Sequence, residues 1–418
     1  MRYYSLRVTD PATGFLAKPN YNSVPGFSWI PDDGSSTYGS LNAGASAQTP
    51  GGTNMNALQV DLDIHSGYFH TPESGTSSYI NIHGIGLKEI SQASNLNLMN
   101  CTLDVGMAAG LPLSNPAQIG RAVSGMVLQC LGNWMPGQQT LTFFIGTLGA
   151  SPTSNQTTGK PISNSTTPLP AINATPANIV FQWQPGQPLL AALVPALQTA
   201  FPKYSIRGAV NPGLVWSGAP SAGYFNAIDQ LASFLNARSL SMLQGFAPPP
   251  FAQAYPGVMM SINPASNTIL ITDGSTPTKP VSIQFLDLVG QPTWIGQFVM
   301  QFQCAMRGDI QCGDFVTLPP VLGTIEQGSN SQWSGLGAAG PQLQQQLQQP
   351  QNVSAFQGTM MVRHVRHVGS SREDSGGAWI SAFDCQMAPW ASAATSTSPG
   401  ELPLLASPNQ SYKFYMPT

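Results

Sequence analysis

Leu58-Gln-Val-Asp-Leu-Asp-Ile64 and Tyr79-Ile-Asn-Ile-His83 decide the class of fold. Both alternate apolar with polar residues. In the second, Ile80 and Ile82 face one way and Asn81 and His83 the other, the period of a half-buried strand. Working outward, residues 3–8, Met99–Val105, Gly125–Cys130 and Thr140–Ile145 carry further strand-like runs, so residues 1–150 read as a β-rich unit. Residues 19–56, rich in Gly, Ser, Pro and Asn, read as a long loop or arm, an element that in a compact domain often meets a partner.

Residues 151–178 are Ser/Thr/Asn/Pro-rich and read as a linker or long loop. Beyond them the period changes. Gln187–Phe201 is a helix candidate with Pro188 near its first turn, and Pro195 is expected to kink or break it. A second helix is expected over Ala222–Ala237, where Phe225, Ile228, Ala232 and Leu235 recur at helical spacing and Ser221 stands as N-cap. Ser261–Asn263, Thr268–Thr272 and Val281–Phe285 suggest a small sheet, which makes residues 179–290 an α+β unit. Strands return over residues 291–390 at Gln297–Met306, Phe315–Leu318, Gly358–Val368 and Ala378–Gln386, interrupted by a Gly- and Gln-rich loop at 323–355. Residues 391–418 read as a C-terminal tail. The fold class is therefore mainly β with an α+β insert, a division into units that suits 418 residues.

Charge is scarce. There are 15 Lys and Arg against 18 Asp and Glu, 8% of the chain and a net charge of −3, where an ordinary soluble chain is about a quarter charged. Residues 122–202 hold one charge, Lys160, and residues 239–272 and 327–362 hold none. Membrane spans do not explain this, because Asn, Gln, Ser, Gly and Pro interrupt every apolar run short of the roughly 18 residues needed. Packed interfaces exclude charge from their centres, so the composition points to a chain that works assembled. The few basic residues argue against a duplex-DNA binder.

The usual chemistries are missing. Asp61, Asp63 and Asp104 lie in strand-like runs and Glu326 and Glu401 in loops, with no pairing of the kind glycoside hydrolysis needs. His364 and His367 are three apart on a strand, pointing to opposite faces, and His65 and His70 are likewise uncoupled. There is no Gly-x-Ser-x-Gly elbow, P-loop or HExxH. Arg307-Gly308-Asp309 matches an adhesion tripeptide, but it follows a strand instead of tipping a loop. Five cysteines without a CxxC pair suggest neither a disulfide framework nor a zinc knuckle. The first residues, Met-Arg-Tyr-Tyr-Ser-Leu-Arg, lack a signal-peptide core. A reducing cytosol is the expected site of synthesis, so Asn155, Asn164 and Asn173 are not expected to be glycosylated. No enzyme activity, cofactor or metal is expected.

Three phrases resemble the baseplate or tail-tip hub proteins of tailed bacteriophages. The first is Asp104-Val-Gly-Met-Ala-Ala-Gly-Leu-Pro-Leu-Ser-Asn-Pro116, with Gly106, Gly110, Pro112 and Pro116, continuing through Gly120, Gly125 and Trp134. The second is Phe285-Leu-Asp-Leu-Val-Gly-Gln-Pro-Thr-Trp294, with Gly290, Pro292 and Trp294. It runs on through Arg307, Asp309 and Asp314. The third is Val365-Arg-His-Val-Gly369, with His367 and Gly369, then Arg372 and Trp379. The 19–56 arm and the Gln342–Gln351 run have no counterpart.

The resemblance implies a homotrimer whose chain carries two tube-like β-barrel domains flanking the smaller α+β domain. It would present a pseudo-sixfold ring to the hexameric tail tube and threefold symmetry to a spike or tail-fibre complex. It would contact other baseplate proteins and line a channel that DNA traverses without specific binding. Its place would be the virion tail, assembled in the host cytoplasm. Two other readings share the low charge and β content. An icosahedral capsid or shell protein predicts a single jelly roll, and a tail-associated polysaccharide-binding or glycan-cleaving protein predicts a cleft with paired carboxylates.

Overall fold

The computed structural model describes residues 2–20, 26–71, 78–110, 114–135, 138–146, 179–243, 255–276, 278–296, 299–319, 359–372 and 378–387. The expected linker 151–178, loop 323–355 and tail 391–418 lie outside these residues, as does Pro112.

The first β half holds nine strands: β1 (Arg2–Thr9), β2 (Leu16–Pro19), β3 (Phe27–Ile30), β4 (Tyr38–Gly39), β5 (Val60–Gly67), β6 (Ser78–His83), β7 (Asn100–Met107), β8 (Gly120–Met135) and β9 (Gln138–Gly146). A short helix, α1 (Leu87–Ser91), lies against β8 and β9. The alternation read from the sequence is the packing pattern: Val60, Leu62 and Ile64 of β5 face inward with Ile80 and Ile82 of β6, and Asp61, Asp63 and His65 face out. The 19–56 arm is partly strand. β3 pairs with β2, and β4 pairs with β1 at Ser5 and Leu6. The loop-like composition hid these short pairings because two to four residues are too few to show a period.

The middle unit contains β10 (Ile179–Trp183), α2 (Leu189–Ala200), β11 (Ser205–Ala209), β12 (Ser221–Phe225), α3 (Ile228–Leu243), β13 (Met259–Asn263) and β14 (Thr268–Thr272). β10 pairs with β12, and β14 pairs in parallel with β11 and antiparallel with β13. Pro195 sits inside α2 without ending it. Leu189, Leu193 and Leu197 bury one face of that helix in the unit's core, which offsets the lost backbone bond. The second helix corrects the sequence reading. Ser221 is not an N-cap, because Ser221–Phe225 is a strand held by β10, and the helix starts at Ile228. Ile228, Leu231, Ala232 and Leu235 are its buried stripe.

The second β half comprises β15 (Val281–Ser282), β16 (Thr293–Gly296), β17 (Val299–Ala305), β18 (Phe315–Thr317), β19 (Thr359–Ser370) and β20 (Trp379–Met387). Val281, expected in the middle sheet, pairs instead with β18, and Ile283 joins the core of this half.

Both β halves belong to one fifteen-stranded sheet. Its order is β16-β17-β20-β19-β5-β6-β9-β8-β7-β1-β2-β3, with β4, β15 and β18 off this path. The halves meet where β19 pairs antiparallel with β5 over seven residues, from His364 opposite Gly67 to Ser370 opposite Asp61. Each half keeps its own core, but Met306 and Trp379 of the second half are buried in the core of the first. Among the described residues no helix is long and apolar enough to cross a membrane.

Candidate functional site: the joint between the two β halves

Residues from all three hub-like phrases converge where the halves meet. Arg307 follows β17 and is almost fully buried. Its guanidinium forms a two-pronged bond with Asp309 (Nε–Oδ1 2.8 Å, Nη2–Oδ2 2.7 Å) and reaches Asp287 Oδ2 at 3.3 Å. Burial would lower the Arg307 pKa, but the hydrogen bonds and charge of Asp309 outweigh it and hold the pKa above its ordinary value. Asp287 also accepts from Gln118 Nε2 of the first half at 3.1 Å. Gln118 closes the short turn that opens at Pro116, where Asn115 caps the amide of Ala117. The Arg-Gly-Asp tripeptide is thus turned inward.

Gly308 and Gly120 touch backbone to backbone. A Cβ on either would collide with the other's carbonyl, and Gly308 N donates to Gln118 O at 2.9 Å. Only glycine permits this approach. Gln311 fastens it further, donating through Nε2 to Arg121 O at 3.0 Å and Gly308 O at 2.8 Å. Its own amide donates to Asp314 Oδ2 at 2.8 Å. Burial raises the Asp314 pKa.

The third phrase completes the joint. Trp379 donates its indole N–H to Gly106 O at 3.0 Å, and its own carbonyl accepts from Met306 N at 2.9 Å. The Ser381 hydroxyl accepts from Arg307 N (3.0 Å) and lies 3.1 Å from Arg307 O and 2.8 Å from His367 Nδ1. Burial, and then the charge of His364, pull the His367 pKa down to about 4, so the ring is neutral at pH 7. At Gly369, φ is +154° and a Cβ would strike Ala378 O. Ser370 O accepts from Arg2 Nη1 at 2.6 Å, and Ser371 exchanges two bonds with the backbone of Val60. Arg372 reaches Met55 O at 3.0 Å.

Gly106, Pro116, Arg307, Asp309, Asp314, His367, Gly369, Arg372 and Trp379 thus belong to the joint or brace it. Gly110 lies in a turn, Gly125 packs against Gly146 within the first half, and Trp134 stands exposed at the tip of the β8–β9 hairpin. Gly290, Pro292 and Trp294 lie at the far end of the sheet. Gln118, Asp287, Gln311 and Ser381 were not singled out from the sequence. Ser381 alone left a signal: it occupies the inward phase of Trp379-Ile-Ser-Ala-Phe-Asp-Cys385, a polar residue where the alternation calls for an apolar one.

The outward face carries a second arrangement across the joint. Gln301 bonds Asp384 (2.8 Å), Asp384 bonds His364 (3.2 Å), and His364 stacks on His65 with ring centroids 5.4 Å apart. Asp63 takes His65 Nε2 at 3.1 Å and both prongs of Arg366 at 2.8 and 2.7 Å. Asp61 continues the row to His83 (2.6 Å), Asn81 and Thr142. The row runs through six adjacent strands, β17-β20-β19-β5-β6-β9. Burial raises the carboxyl pKa of Asp63 and Asp384, but their partners prevail and hold both below the usual range. Burial lowers the His65 pKa against the pull of Asp63.

The chemistry available here is that of a brace. All five cysteines are buried free thiols, and burial pushes those of Cys101 and Cys304 up to about 12. Among the described residues no cluster of three or more His, Cys, Asp or Glu could hold a metal.

No family model matches the chain, and no curated protein matches it. Among solved structures, it is similar to a tail protein from Neisseria meningitidis MC58, at 9% identity and TM-score 0.37, over 79% of this chain and 95% of that one. It is similar to the 43 kDa tail protein of prophage MuSo2 from Shewanella oneidensis, at 10% identity and TM-score 0.37, over 81% and 99%. A Francisella PdpA-VgrG complex matches at 6% identity and TM-score 0.39, over 96% of this chain and 59% of that one. Likenesses this distant assign no role to the chain or to any residue.

Proposed function

We propose that the chain is a structural protein of a phage tail, and within that class the trimeric baseplate hub that joins a hexameric tail tube to a threefold spike or fibre complex. The observation that carries this reading is the joint. Three phrases that resemble hub proteins, far apart in the sequence, come together as the brace fixing one β half to the other in a single sheet. A protein that must offer two similar β units at a set angle to a partner ring needs such a brace, because a flexible linker would lose the match. Three chains then supply six β units, which is how a trimer meets a sixfold tube.

The outward polar face suits the wall of a DNA channel. Its carboxylates of Asp61, Asp63 and Asp384 are engaged by His83, Arg366, His65 and His364, and Arg366 is held by both prongs to Asp63 instead of standing ready for a phosphate. Other baseplate proteins would meet the outer loops. The test is reconstitution: purified chain mixed with the cognate tube protein should seed tubes capped at one end by a threefold particle. Chain that leaves tube assembly unchanged at every ratio would contradict the reading.

A further inference from the structure

Two histidines face each other across the joint. His65 Nδ1 on β5 and His364 Nε2 on β19 stand 3.3 Å apart. A bulge between Val362 and His364 shifts the alternation of β19 by one residue and brings His364 onto the outward face. Each ring's far nitrogen meets a carboxylate. His65 Nε2 lies 3.1 Å from Asp63 Oδ1, and His364 Nδ1 lies 3.2 Å from Asp384 Oδ2. The four side chains form one line, Asp63–His65–His364–Asp384, that crosses from the first β half to the second.

The protons along this line follow from what each nitrogen faces. Both carboxyls are held below the usual range and are ionised at pH 7. An ionised carboxylate only accepts, so each far nitrogen carries its hydrogen. Two neutral rings would then turn bare lone pairs on each other at the near nitrogens. One further proton converts that contact into an N–H···N bond and places a single positive charge between two negative ones. We propose that His65 and His364 titrate as one unit, sharing a single proton at neutral pH, and that a second proton sets two imidazolium rings against each other and loosens the joint.

The surroundings suit one proton and oppose two. Among the described residues, the charged and titratable groups facing the pair are Asp63 on β5, Arg363 and Arg366 on β19, Asp384 on β20 and Tyr79 on β6, with His367 on the inward face of β19. The two carboxylates balance Arg366 and one shared proton, and Arg363, which acts on Asp384, adds to the cost of a second. Burial lowers the His65 pKa most, Asp63 opposes it, and the charges of His364 and Arg366 deepen it. Each side chain is 14% exposed, which gives solvent a route to deliver the second proton. The device belongs to the joint and stands whether or not the chain builds a ring.

The test is urea unfolding of the full chain and of His65→Gln, His364→Gln and the double variant across the histidine range, from about pH 8.5 to about pH 5. Relative to the double variant, the wild-type midpoint should rise as pH falls towards about 6.5, because the folded pair holds a proton that the unfolded chain lacks. Below that value it should fall again, because the unfolded chain takes two protons and the folded pair keeps one. Neither single variant should show this peak. His367 gives a decline on the acid side and makes no peak. A peak kept by either single variant, or absent from the wild type, would overturn the proposal. Should a variant fail to fold, wild-type chain carrying 13C at histidine Cε1 answers by NMR. Two resonances should each move in two steps at common pH values, whereas two rings titrating in independent single steps would overturn the pairing.

Discussion

Arg307 concentrates the account at the level of single residues. Its charge is buried but doubly answered by Asp309 and Asp287, and removing one partner of such a set leaves the others unpaired. Arg307→Ala should therefore lower stability by about 3–5 kcal/mol in urea unfolding. Arg307→Lys, which cannot make the two-pronged bond, should recover only part of the loss. His367 predicts a pH dependence. Its folded pKa lies below that of the unfolded chain, so as pH falls below about 6.5 the unfolded state takes up the proton first. Stability is complete above that value and declines until about pH 4, by about 3 kcal/mol for a shift of this size. Urea midpoints between pH 7.5 and 4.5 should show this fall, reduced in His367→Asn. Equal slopes in the two proteins would contradict it.

Among elements, the contact of the Gly120 turn with the Gly308 turn sets how the halves meet. Gly308→Ala should cost about 1–3 kcal/mol, as overpacking does, and should speed amide exchange in β5 and β19 together. Acceleration confined to the turn itself would show that it does not fix the strands. The strands themselves were legible because alternation is local: β5, β6, β17 and β20 stand within a few residues of where the sequence put them. The start of α3 was not legible. Phe225 continues its helical spacing backward, and only pairing with Ile179, 46 positions earlier, turns Ser221–Phe225 into a strand. The joint was not legible as a place. Gln118–Asp287 and Gln311–Arg121 span 169 and 190 positions, and nothing in a local window couples them. The stacked His65–His364 pair, 299 positions apart, was hidden for the same reason.

For the whole molecule, one sheet running through both β halves predicts that they unfold together. Calorimetry should show a single transition for residues of both halves, followed through Trp379 at the joint and Phe302 and Phe383 in the second core. Separate melting of the halves would mean that the β5–β19 pairing does not couple them. The central claim is that this chain forms a threefold ring built from six β units. Native mass by light scattering, with class averages of the same sample, tests it most directly. The account predicts three chains per particle, a central hole and a sixfold-like outline. Closed shells, pentamers or a compact single chain would contradict it.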